Sequence, residues 1–182
     1  MFWKLRYVAL ILILGIPQPA SSFNVDVENP MIFSGSQEDM FGYTVKQFEN
    51  EERKWLLIGS PWEGQSKNRT GDVYKCPVLK TRNPECVKLN LAEFLTVPNI
   101  TEVKENMTLG MSLASNPKAG FLTCGPLYSY KCGGLYYVAG ACLNVSATFK
   151  VVNTIAPTVQ GNAGQTSKIE NTPSVINLLS SN

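Results

Sequence analysis

The chain has 182 residues, of which 44% are hydrophobic and 16% charged, with a net charge of +2; this suits one packed domain and is short for two. It contains no histidine, which removes Ser-His-Asp and Cys-His catalysis and every histidine-ligated metal site together. Lysine and arginine are scattered without a basic run, so a nucleic-acid surface is excluded, and with no nucleophile positioned the chain is not read as an enzyme.

Residues 1–22 read as a signal peptide. Lys4 and Arg6 give a positive start, Tyr7 to Ile16 an apolar core, and Ala20-Ser21-Ser22 small residues for cleavage before Phe23. About ten apolar residues are too few to span a bilayer. The mature chain is therefore expected in the secretory pathway, an oxidising compartment. Phe23, Val25 and Val27 then alternate with Asn24, Asp26 and Glu28 as a strand, and Met31-Ile32-Phe33 forms a short apolar run.

The organising stretch is Phe41 to Pro61. Phe41-Gly42 opens the alternation Tyr43 to Phe48, Glu49 to Arg53 form a charged turn, and Trp55-Leu56-Leu57-Ile58 is a strand buried on both faces before Gly59-Ser60-Pro61. The pattern recurs 68 residues on: Leu109-Gly110 to Ser115, a turn at Asn116 to Ala119, then Gly120 to Gly125-Pro126. A strand-turn-strand unit at that spacing predicts repeats that stack to bury their faces. Between the copies, Trp62 to Thr70 reads as a loop, Gly71 to Val78 as a third strand with Val73 inward, and Cys86 to Leu91 as a fourth. Four antiparallel strands with short connections make one propeller blade. Cys76 and Cys86 flank the last turn, placed to clip it. Ala92 to Asn106 is a longer connection. After the second copy, Leu127-Tyr128-Ser129-Tyr130 alternates, Gly133-Gly134 turns the chain, Leu135 to Leu143 reads as one strand, and Phe149 to Val152 completes the set. The fold class is all-β. Residues 161–182 are polar and without aromatics, the composition of a disordered tail.

Asn68, Asn99, Asn106 and Asn144 each head an Asn-x-Ser/Thr triplet in or beside a predicted turn, and are the candidate glycosylation sites. The five cysteines, Cys76, Cys86, Cys124, Cys132 and Cys142, have no metal-ligand spacing, so disulfides are expected with one thiol left over, and connectivity stays open. Acidic groups at Asp26, Glu38-Asp39 and Glu49 to Glu52 lack a ligand-spaced glycine turn and read as solvated charges; no metal or cofactor site is expected. Trp55, Tyr74, Phe121, Tyr136 and Tyr137 read as core and inter-blade packing.

Phe-Gly followed by an apolar strand ending Gly-Ser-Pro resembles the FG-GAP repeat of integrin alpha-chain β-propellers. Phe23 to Asp26, Asp39 to Gly42, Asn68 to Cys76 and Val103 to Thr108 resemble the head of the collagen-binding class, closest to alpha-one, over roughly residues 23–160. The resemblance implies a signal peptide (1–22), a partial seven-bladed propeller of an N-terminal strand and about two blades (23–160), and a divergent tail (161–182) where that class continues into an inserted von Willebrand A-type domain. It implies a role in cell–matrix adhesion to collagen as a heterodimer with an integrin beta chain at the plasma membrane, with calcium and magnesium held by other segments of the family's chains. It also implies the pairs Cys76–Cys86 and Cys124–Cys142, leaving Cys132 as an unpaired thiol. The alternative is a small secreted disulfide-bonded glycoprotein acting as a binding module.

Overall fold

The computed structural model describes residues 30–66, 68–79, 84–116 and 119–160. The expected signal peptide, the strand at Phe23 to Val27 and the tail at 161–182 lie outside the described residues. Among those described, the strands run in chain order as β1 (Thr44–Glu49), β2 (Lys54–Ser60), β3 (Gly64–Gln65), β4 (Asn68–Arg69), β5 (Asp72–Pro77), β6 (Val87–Lys88), β7 (Thr101–Val103), β8 (Ser112–Asn116), β9 (Gly120–Gly125), β10 (Ser129–Cys132), β11 (Leu135–Val138), β12 (Ala141–Val145) and β13 (Val151–Ile155). A 3-10 turn occupies Leu91–Glu93, and a single helical turn, α1, occupies Pro157–Gln160.

Two antiparallel four-stranded sheets carry the fold, in the orders β1-β2-β5-β6 and β8-β9-β12-β13. Each has the four-strand form of a propeller blade. The β1–β2 turn is set by Asn50, whose side-chain oxygen accepts the N–H groups of Glu52 and Arg53 and the Trp55 indole N–H. Trp55, Leu57 and Ile58 are buried, as a two-sided strand requires.

The core lies between the blades. From the first come Phe48, Trp55, Leu57 and Val73; from the second come Leu113, Phe121, Leu143 and Val145. Phe48 meets Phe121 edge-on at 6.1 Å between centroids, and Phe149 packs against both and against Trp55 at 5.3 Å. Such pairs add about 0.5–1.5 kcal/mol beyond their area burial. The Lys75 ammonium caps the cluster, 4.5 Å from the Phe149 centroid.

Five expectations are corrected. The stretch Leu135 to Leu143 is two strands: the N–H groups of Ala139 and Gly140 both turn back to the Tyr128 carbonyl, and Gly140 sits at φ 66. The fourth strand of the first blade is only Val87–Lys88, because Leu91 starts the 3-10 turn. Phe149 lies in a turn at φ 64, outside β13, where its ring reaches the inter-blade cluster. The loop Trp62 to Thr70 contains the small β3–β4 hairpin, and the connection Ala92 to Asn106 contains β7, which pairs with β10 to make a third sheet, β11-β10-β7.

Candidate functional site

The repeated Phe-Gly and Gly-Ser-Pro elements meet in space. Gly42 N–H donates to the Gly59 carbonyl, while the Ser60 hydroxyl and Trp62 N–H both donate to the Asp39 carbonyl. The Phe41 ring stands edge-on to Tyr74 at 5.2 Å. The motif is therefore a clasp in which the end of β2 holds the loop that leads into β1.

The second copy forms the seam between blades. Leu109 N–H donates to the Thr70 carbonyl at 2.9 Å, Leu109 bridges Gly71, and the Thr44 hydroxyl donates to the Gly110 carbonyl at 2.7 Å. The backbones are nearly in contact. A Cβ on Gly59 would lie 2.0 Å from the Gly110 oxygen, and one on Gly110 would lie 2.4 Å from the Asp72 oxygen. Only glycine fits at either position. Two further bonds cross the seam: Asn50 Nδ2 to the Ala147 carbonyl, and the Ser115 hydroxyl to the Gln47 carbonyl.

Buried polar groups pin the connections to the blades. Asp72, 2% exposed, accepts the N–H groups of Leu91 and Val73, fixing the 3-10 turn to β5. Burial pushes its carboxyl above the usual range, against the opposing pull of those N–H donors. Tyr128 is fully buried and donates to Glu102 Oε1 at 2.7 Å; the same oxygen accepts Val97 N–H, and Glu102 pairs with Lys104 at 3.3 Å. The first blade repeats the device: Tyr74 donates to Glu63 at 2.8 Å, and Glu63 pairs with Lys88 at 3.1 Å. Burial, then the glutamate acceptor, raises both phenols well above their ordinary value. Sequence reading missed these three acceptors; the Gly71-Asp72 pair at a strand start was the one local signal.

Cys76 and Cys86 are bonded, as are Cys124 and Cys142, which lie directly opposite on β9 and β12. Cys132 is free and exposed at the end of β10. Asn68 is exposed on β4, and Asn99 and Asn106 are exposed in turns at φ 65 and 57. Asn144 departs from the turn expectation: it sits half-buried within β12, opposite Leu122 and Asn153. Among the expected packing aromatics, Trp55 and Phe121 are buried and Tyr74 half-buried, whereas Tyr136 and Tyr137 are exposed on β11. Among the described residues no three cysteine or acidic side chains gather as a metal-ligand set, and no helix is long and apolar enough to cross a membrane.

No protein-family model matches the chain. Integrin alpha-2 of Mus musculus is 47% identical over 153 residues, 83% of this chain. The chain belongs to the integrin alpha family. Integrin alpha-11 of Homo sapiens is 45% identical over 145 residues, and integrin alpha-1 of Gallus gallus 62% identical over 56 residues, which are 79% and 31% of this chain. The aligned part is 13%, 12% and 20% of those three relatives, so the chain spans about an eighth of the length of the first two. The two blades are thus a partial integrin alpha propeller, and the clasp and seam are what the repeated integrin motif builds.

Proposed function

We propose that this integrin alpha chain works in cell–matrix adhesion, pairing through its propeller surface with an integrin beta chain and, as in the collagen-binding class, serving attachment to collagen. The observation that supports this reading is the two-blade stack closed by the Gly59–Gly110 seam, in a chain 47% identical to integrin alpha-2 over 153 residues. The chain enters the secretory pathway and is glycosylated at Asn68, Asn99, Asn106 and Asn144. Its contribution is structural, and it performs no catalysis. On this reading calcium and magnesium are held by other segments of the family's chains.

Expressed by itself in animal cells, the chain is expected to be held inside the cell or to aggregate as its concentration rises, so its stability is read on dilute, refolded chain. Val45 is half-exposed on the first blade, and the walls of a cavity of about 580 Å³ on that blade include Met31, Phe48, Trp55, Leu56 and Val78. Apolar blade surface of this kind calls for a neighbour. Co-expression of the tagged chain with an integrin beta chain in animal cells, followed by capture of the tag, tests the pairing. Recovery of the beta chain with the wild-type chain, and its loss with Gly110→Val, is the expected result. A protease-resistant, folded chain that captures no beta chain overturns the pairing and favours an independent secreted binding module.

A further inference from the structure

The sheet β11-β10-β7 carries the most open apolar surface of the described residues. Leu135, Tyr136, Tyr137 and Val138 are successive and all exposed, between 44% and 67%. Against this sheet lies an open cleft of about 500 Å³, whose walls include Asn99, Thr101, Tyr130, Lys131 and Cys132. An acceptor asparagine, its threonine and the free thiol therefore share one cleft. Asn68, Asn106 and Asn144 do not line it.

We propose that this cleft is the seat of the chain's own N-linked glycan: Asn99 carries it, and its first N-acetylglucosamine lies against Tyr130 and covers the Cys132 thiol. The inference rests on the reading of the chain as a glycosylated secretory protein. In the attachment step the Asn99 amide nitrogen loses a proton and bonds to C1 of the sugar. The bond from C1 to a lipid diphosphate donor breaks, and the lipid diphosphate leaves. Asn99 is exposed in a turn at φ 65, free of the strand ladder, as the reaction needs.

Two features favour the cleft over open solvent for the attached sugar. The tether places the sugar at the cleft wall, so the local concentration is high without any intrinsic affinity. Tyr130 is stacked on Tyr137 at 5.5 Å and 21°, which holds the ring in place as a wall of the cleft, on the same face of the sheet as Cys132, and its apolar surface suits a pyranose C–H face. Sugar in that position excludes reagents from Cys132, whose reactivity depends on access as well as on thiolate fraction.

The test is the rate of Cys132 alkylation by a polymer-tagged maleimide in non-denaturing extracts of animal cells making the full chain, together with mass spectrometry of the Asn99 peptide. The chain is compared as made, after trimming to a single N-acetylglucosamine, after complete deglycosylation, and as N99Q; N68Q and N106Q serve as controls. The intact and trimmed forms are expected to react slowly, the deglycosylated form and N99Q at least about fivefold faster, and the controls like wild type. Deglycosylation of the already folded chain keeps the comparison valid if N99Q misfolds. Equal rates with Asn99 occupied overturn the seat while leaving glycosylation standing. An unmodified Asn99 overturns both, and a Cys132 that stays unreactive after deglycosylation overturns the seat.

Discussion

The two blades share a plan and differ in what hangs from it. In each, a hairpin interrupts the step from second to third strand, and a tyrosine-glutamate-lysine group ties the connections down. In the first blade the hairpin is β3–β4, two residues on each side, and Tyr74, Glu63 and Lys88 hold it close. In the second it is β10–β11, four residues on each side, anchored where Tyr128 bonds Glu102 and where β7 pairs with β10 from Ser129 to Lys131, while β11 is its open edge. The short insert contributes no large apolar surface, whereas the long one exposes four successive apolar side chains and a free thiol. Stability thus resides in the seam and the aromatic cluster that both blades share, and variable surface chemistry is confined to the inserts.

That comparison breaks most readily at the seam. Gly59→Ala is expected to cost about 3 kcal/mol or more, since the new Cβ would meet the backbone oxygen of Gly110, which cannot turn aside, and the Thr44 hydroxyl, which is held in place by its bond to that same oxygen. Gly134→Ala, in the β10–β11 turn with nothing within 4 Å of the new Cβ, should change stability by well under about 1 kcal/mol. Urea denaturation of the two variants checks the contrast, and equal losses would remove the distinction between seam and insert.

The aromatic cluster comes next. Phe121→Ala should cost about 3–5 kcal/mol, and Tyr137→Ala, on the exposed hairpin where only its stack on Tyr130 is lost, no more than about 1.5 kcal/mol, again by denaturant midpoint.

Asp72 sharpens the account through pH. Its folded pKa is raised, so the folded state binds a proton more tightly than the unfolded state. Stability is therefore greatest below the ordinary carboxylate range and falls as pH rises through the folded value. Asp72→Asn keeps an oxygen for the Leu91 and Val73 N–H groups and removes the buried charge. It should match or exceed wild type at neutral pH and lose that margin below about pH 4. Asp72→Ala strands those donors and should cost about 1–3 kcal/mol at any pH. Thermal melts across the pH range separate the two variants; a wild-type stability that rises with pH through this window would contradict the assignment.

The smallest effect is at Thr123, fully buried in β9 with a hydroxyl that has no hydrogen-bond partner. Thr123→Val should be neutral or stabilising by up to about 1 kcal/mol. A loss of stability in melts would reveal a partner for that hydroxyl.

Much of the blade framework was legible in the sequence because period-two patterning and glycine breaks are local signals. Trp55 to Ile58 and Gly120 to Gly125 fall in strands, and Val73 points inward. What was missed depended on distant partners. β7 is three residues long and exists because β10 lies beside it. The break at Ala139–Gly140 depends on the Tyr128 carbonyl, eleven residues or more upstream, and Leu135 to Leu143 offered only one glycine against a continuous apolar run. At the seam the sequence marked Gly59 as the break after a strand and Gly110 as the opening of the second copy, but their mutual contact is a tertiary fact. The acceptors Glu63 and Glu102 were illegible for the same reason, and Asp72 was marked only by its place after Gly71 at a strand start, since the partners that give these carboxylates their roles are backbone and phenol groups from other segments.

The central claim is that the seam makes the two blades one cooperative unit. Hydrogen–deuterium exchange of wild type and Gly59→Ala, resolved by peptide, tests it most directly. Cooperation through the seam predicts that amides of β2 and β9 lose protection together in the variant. Loss confined to β1 and β2, with β9 and β12 protected as in wild type, would show that the blades fold separately and would contradict it.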